Sequence, residues 1–304
     1  MVSNFSTVQL SALTSAQASG LNNVLSSLSC AQIQALSPKT IAAIGTSQLD
    51  GIGANATFLT TTAVSALTTA QISAIESHLS ATTQVPFITT AQLAGLSSVA
   101  LNGLSTIQLQ AIGTSTLSAL SSAQITSLST NAINTLSAKL STAQIASLTT
   151  TQVAGLDTSA ISTAQIQALN NNDVAALSST QLNSLGSKSK VLKASQIAAM
   201  TYQAISQLSN TLTTTQIAGL TTTQASNLNA STYYSSLSSV QIQSISPAFF
   251  TSLTTAQIQS FPTTQLPYLN TSQISALTSV QVSALSPTQL TSLTTYQIPY
   301  LNFQ

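Results

Sequence analysis

Large apolar residues recur every eight positions along this chain, with polar residues filling the intervals. In one stretch Phe261, Leu269, Leu277, Leu285, Leu293 and Leu301 keep that spacing, and so do Gln265, Gln273, Gln281, Gln289 and Gln297. A second run comprises Leu96, Leu104, Ile112, Leu120, Leu128 and Leu136. The unit reads L-[ST]-x-x-Q-[ILV]-x-[ASG]. A continuous α-helix cannot use this pattern. Eight residues at about 100° each leave successive Leu about 80° apart, so the apolar stripe winds around the helix and buries nothing. A plain strand fails as well, because the Leu and the aliphatic residue five positions later face opposite sides. Each octapeptide must therefore contain its own turn.

The residue types identify the turn. In eighteen units a Ser or Thr stands three residues before the Gln, as in Ser121–Gln124, Ser141–Gln144, Ser162–Gln165 and Thr254–Gln257. That is capping-box spacing: the hydroxyl accepts from the N3 amide, and the Gln side chain accepts from the N-cap amide. All eighteen carry a large apolar residue just before the Ser or Thr, and sixteen carry Ile, Leu or Val just after the Gln. Those are the two sides of a hydrophobic staple. Pro38, Pro247 and Pro287 follow an N-cap Ser, where proline is preorganised for a helix. Pro86, Pro267 and Pro299 lie two residues after a Gln, where they remove a helical hydrogen bond, so those units should keep about one 3₁₀-like turn. Gly45, Gly53, Gly113 and Gly186 fall on N-cap positions. Gly20, Gly51, Gly95, Gly103, Gly155 and Gly219 precede the closing apolar residue, where each should face a neighbouring backbone or begin a left-handed exit.

The pattern predicts an all-α repeat solenoid of short capped helices, about eight residues per unit, in a single array over 1–304. One octapeptide buries too little to offset the entropy of ordering it, so the units must stack. A β-solenoid built from the same octapeptides is the alternative fold. The period slips by four residues at Ile75–Leu79, Leu136–Leu140 and Leu208–Leu212. It is five from Leu156 to Ile161 and nine from Leu228 to Leu237. Irregular units are thus expected near 22–28, 50–60, 76–88, 137–140, 157–161, 186–193, 209–212 and 229–237. The slips should mark longer helices or corners, and their spacing hints at three or four units per superhelical turn.

Composition narrows the function. Charged residues are 3% of the chain, with five Lys and no Arg, and the net charge is +1. Nothing there attracts nucleic acid or an anionic membrane surface. Apolar residues reach 43%, so the chain should fold rather than stay disordered. No apolar run is long enough to span a bilayer. The first octapeptide begins at Ser6, which leaves no room for a secretory leader. The charges gather at the slips: Glu76 and His78, Lys139, Asp157, then Lys188, Lys190 and Lys193. They read as solvated groups on exposed irregular units, with a contact site near 186–193 as the alternative. Cys30 is the only cysteine and His78 the only histidine. No catalytic, cofactor-binding or metal-ligating residue is assigned, and no cofactor is expected.

Leu285-Ser286-Pro287-Thr288-Gln289-Leu290 resembles the start of the first helix in transcription activator-like effector repeats. That family's repeat is several times longer, and its base-reading loop and basic face have no counterpart here, so the resemblance implies no DNA binding. The recurrent L-T-T-A-Q-[IV] octapeptide, as at Leu253–Ile258, is similar to Leu/Ser/Thr/Gln-rich tracts in large secreted or surface proteins of bacteria. That resemblance implies a location outside the cell or on its surface. The functional expectation is a non-catalytic structural protein that assembles with itself into a fibre, matrix or layer. A binding module for ice or a peptide, or the stalk of a larger adhesin, is the alternative. A rank of Thr suited to ice is not evident, because the second and third helical positions mix Thr, Ser, Ala, Val, Tyr and Pro. The array also shows no polar capping unit at either end, which favours association, with 238–301 as the expected contact surface. For stability, Leu128→Ala should exceed Ser121→Ala, and Gln124→Ala should fall between them or below.

Overall fold

The computed structural model describes residues 4–21 and 24–303; residues 22 and 23 of the irregular segment 22–28 lie outside them. Among the described residues there is no strand. Short α-helices of four to seven residues alternate with 3₁₀ segments, giving an all-α repeat solenoid and leaving no place for the β-solenoid.

The unit beginning at Ser162 shows why eight residues form one leg. Ser162 is extended (φ −76°, ψ 165°), the helix Thr163–Ala168 follows, and Leu169 is extended again (φ −56°, ψ 136°) before the next cap. Helix entry is fixed by the predicted box. In all eighteen units the N-cap N–H donates to the Gln Oε1. In seventeen the Gln N–H also donates to the cap hydroxyl. At Thr14 the hydroxyl instead donates to Gln17 Oε1. In most legs the closing Leu and the aliphatic residue after the Gln are both buried, as with Leu128 and Ile125, so such a leg contributes two columns to the core.

Residues 1–156 and 157–304 are separate compact units. In the first, the helix Thr150–Ala154 stacks on Ser122–Ser127: Gln152 Nε2 donates to the carbonyls of Ile125 and Leu128, 27 and 24 positions earlier. One turn therefore runs through four legs, 121–128, 129–136, 137–140 and 141–148. The short leg is the 3₁₀ segment Ser137–Lys139. In the second unit Gln273 Nε2 reaches Ile242, 31 positions earlier, and all four legs, from 238 to 269, are octapeptides. The slip at 137–140 is thus a shortened leg within a four-legged turn, whereas 229–237 is a leg one residue longer than the octapeptide.

Other slips follow the same rule. Seven-residue helices, Thr69–Ile75, Thr130–Leu136 and Ser179–Leu185, run into 3₁₀ segments Glu76–His78, Ser137–Lys139 and Gly186–Val191. Proline behaves as expected: Pro38, Pro247 and Pro287 open helices, while Pro86, Pro267 and Pro299 sit in the 3₁₀ segments Val85–Phe87, Leu266–Tyr268 and Ile298–Tyr300. Glycine behaves differently in part. Gly45 and Gly113 are N-caps, but Gly53 and Gly186 have φ of +52° and +50° and lead into 3₁₀ segments. None of the six glycines before a closing residue is left-handed. Gly95 and Gly155 instead lie against the side chains of Thr69 and Thr130 in the preceding turn, where no Cβ fits.

The second unit adds an aromatic core. Tyr234 lies 4.5 Å from Phe261 and 6.3 Å from Phe249 between ring centroids, with Tyr233 and Phe250 packed beside them. Burial pushes both tyrosine phenols well above their ordinary range, and neither hydroxyl has a partner.

Candidate functional site

The most organised polar chemistry in this chain lies between turns. In most regular units the two ends of one Gln amide do different work. In the leg beginning at Thr89, Gln92 Oε1 accepts from the Thr89 N–H at 2.7 Å, and Nε2 donates to Val64 at 2.9 Å and Leu67 at 2.6 Å in the preceding turn. The same fork joins Gln224 to Ile197 and Met200, and Gln289 to Ile258 and Phe261. Those two acceptors are C-terminal carbonyls of a short helix, which its own backbone leaves under-satisfied. One side chain thus caps the start of its own helix and the end of another. Most of these amides are buried, Gln152 and Gln273 among them.

Two lysines take the same place where a leg is irregular. Lys139 Nζ donates to the carbonyls of Gln110 and Ile112, the latter at 3.0 Å. Lys188 Nζ donates to Ser159 at 2.7 Å and Ile161 at 2.8 Å. Their charges are therefore not simply solvated: they crosslink turns, and an ammonium can serve because it is donor-only. Lys190 and Lys193 are exposed, and Lys193 stands at an N-cap where its own N–H donates to Gln196. Asp173 is buried and replaces the usual Gln, taking a bond from Asn170 Nδ2 at 2.5 Å.

The residues with chemical potential do not converge. His78 is exposed, and its Nδ1 lies 3.3 Å from the hydroxyl of Ser77, its neighbour in sequence. Glu76 is half-buried, its Oε2 has no partner, and desolvation raises its carboxyl above 4.5. The exposed Asp157 is shifted down, held by the Ser159 hydroxyl and N–H. Cys30 is an exposed free thiol at the start of the helix Cys30–Ala35. Among the described residues no three His, Cys, Asp or Glu side chains gather where a metal could bind. A shallow depression of about 650 Å³ is lined by Gln167, Asn170, Asn171, Asn172, Lys193 and Gln196, of which only Lys193 is charged.

The inter-turn role of Gln escaped the sequence reading, although a signal was present. A capping box accepts Glu as readily as Gln, since only the side-chain oxygen is needed. Glu76, the one Glu of the sequence, stands at no box position. An amide donor is required as well, and only the stacked turns reveal its acceptors. No model of a known protein family matches the chain, and no curated protein is similar to it.

Proposed function

We propose that this chain is a non-catalytic structural protein that assembles with its own copies into an extracellular or surface fibre, matrix or layer. The observation that carries this reading is where the polar side chains go. Gln amides, two lysines and the cap hydroxyls are engaged in building and joining turns, and among the described residues no group of His, Cys, Asp or Glu side chains gathers as a metal site would. The remaining surface is mostly Ser, Thr, Gln, Asn and Ala, with apolar side chains such as Val99, Val280 and Tyr296 facing solvent. Nine charged residues among 304 provide little repulsion between copies. Among the described residues no helix is long and apolar enough to cross a membrane. The surface location rests on the resemblance of the L-T-T-A-Q-I octapeptide to bacterial surface tracts.

Sedimentation and light scattering at about 0.05 M and about 1 M salt test the reading, because association without ion pairs should survive screening. Species much larger than 31.1 kDa are expected under both conditions, with rods or sheets visible by electron microscopy. A stable monomer at tens of micromolar in both would overturn it.

A further inference from the structure

The octapeptide rule fails on both sides of one depression in the second unit. Lys193 is the N-cap of the helix Ala194–Ala199 and makes no side-chain cap bond. Among the described α-helices every other N-cap is Ser, Thr, Asn or Gly, the residues that suit that position. One turn earlier a leg opens with Asn170, Asn171 and Asn172 and puts Asp173 where Gln usually stands. Gln196 Nε2 donates to Leu169 at 2.9 Å and so holds the two legs together. A chain that breaks its own local rule at a loss of stability does so most often at a functional site.

The polar groups facing this depression of about 650 Å³ are not used in building the fold. Among the described residues the side chains of Asn171, Asn172, Lys193 and Ser195 bond to no other group of the protein. Gln167 Nε2 donates to Val191 at 3.0 Å, tying the 3₁₀ segment with the exposed Lys190 to the wall. The same corner recurs one turn on. Gln224 grips Met200 as Gln196 grips Leu169, and a second depression of about 220 Å³ there is lined by Tyr202, Gln203, Thr223 and Asn227. Tyr202 is 38% exposed.

We propose that this corner binds an extended acidic oligosaccharide, a chain of uronate rings. Lys193 pairs with a ring carboxylate, the amides of Asn171 and Asn172 bond ring hydroxyls, and Tyr202 stacks on a ring one turn further along. An amide offers both donors and an acceptor, as a sugar hydroxyl requires. The first depression presents no exposed large apolar side chain, so it lacks the pockets by which peptide side chains are held. A single ammonium matches one carboxylate, whereas a nucleic acid is held by several cations. This site goes beyond the self-assembly reading and does not depend on it.

Equilibrium dialysis of labelled tetragalacturonate against the full-length protein, at about 0.15 M salt, tests the site whether the protein is monomeric or assembled. Binding with a Kd of about 1 mM or below is expected, and the methyl ester, which keeps the rings and removes the charge, should bind about tenfold more weakly. Lys193→Ser should weaken the uronate about tenfold by removing a charge-assisted bond. Its new cap hydroxyl should at the same time raise the melting temperature by about 2–4 °C. That combination separates a lost ligand contact from a damaged fold. Asn171→Thr with Asn172→Thr, which copies Thr214 and Thr215 of another leg, should weaken both sugars, and Lys39→Gln in the first unit should change neither. No uptake of tetragalacturonate at about 10 mM, equal binding of its ester, or parent-like affinity in Lys193→Ser overturns the proposal.

Discussion

Gln152 and Leu128 are joined across one turn of the solenoid: the Gln152 Nε2 donates to the Leu128 carbonyl at 2.8 Å, from 24 positions further along the chain. The same amide holds Ile125 at 2.9 Å, and its Oε1 takes the Thr149 N–H at 3.0 Å. Three bonds meet on one buried side chain. Gln152→Ala should therefore cost about 3 kcal/mol, since each buried group left without a partner costs roughly 1–3 kcal/mol. Gln152→Glu keeps the cap but loses the donor, and it should be destabilised at neutral pH and recover as acid protonates the carboxylate. Urea melts at about pH 4 and pH 7 check both outcomes. A Gln152→Ala variant as stable as the parent would remove the inter-turn role.

Caps and core should separate cleanly. Ser121→Ala removes the acceptor of the Gln124 N–H and should cost about 1 kcal/mol. Leu128 is 4% exposed, and Leu128→Ala should cost roughly 2–5 kcal/mol through the cavity it leaves. Gln124 donates to Ala94 and Leu96 as well as accepting from Ser121, so Gln124→Ala should exceed Ser121→Ala. The sequence alone placed it between the other two or lower. Denaturant midpoints of the three single variants rank them.

Two glycines at the same unit position should respond oppositely. A Cβ on Gly95 meets Thr69 Oγ1 at 2.7 Å and Cγ2 at 2.8 Å, so Gly95→Ala should cost about 1–2 kcal/mol. Adding Thr69→Ala should restore most of that loss. At Gly219 the nearest atoms are 3.5 and 3.6 Å away and φ is −86°, which alanine adopts without strain. Gly219→Ala should be neutral or stabilising by about 0.5 kcal/mol. Thermal melts of the three variants test the pair.

Lys139 should behave as a hydrogen-bonding crosslink rather than a partner in an ion pair. Lys139→Met removes donors to Gln110 and Ile112 and should cost about 1 kcal/mol, given that the ammonium is partly exposed. Because its acceptors are neutral carbonyls, the loss should be the same in low and high salt. A loss that vanishes in high salt would point to a charged partner instead.

Glu76 sets a pH dependence whose sign follows from burial. Desolvation raises its folded pKa above 4.5, against smaller lowering effects from its own N–H and from His78 and a further raising effect from Asp50. The folded state then holds its proton to higher pH than the unfolded chain, so the unfolded state binds fewer protons in that window. Stability should therefore fall as pH rises from about 4.5 through the raised pKa, and be fuller below it. Glu76→Gln should flatten this dependence. Melts from pH 4 to 7 on both proteins check it; a parent that gains stability with pH relative to the variant contradicts the assignment.

The local rule was legible in the residues themselves. Ser or Thr three positions before Gln, with apolar residues on both sides, specifies a capped helical turn wherever it occurs, because every bond in the box lies within four residues. Proline was legible for the same reason: its effect on φ and on its own N–H is local, so Pro287 opens a helix and Pro299 confines its leg to 3₁₀ wherever the rest of the chain lies. The stacking was not. That four legs make a turn, that a slip such as 137–140 is one short leg, and that Lys139 and Lys188 stand in for Gln all depend on partners 24 to 32 positions away. Gly186 shows the same limit: an N-cap by register, it takes a positive φ at the end of the helix Ser179–Leu185 and leads into the 3₁₀ segment Gly186–Val191. Periodicity fixes which side chains turn inward. Which carbonyl each buried amide meets is decided by the length of the turn, which only the packed chain defines.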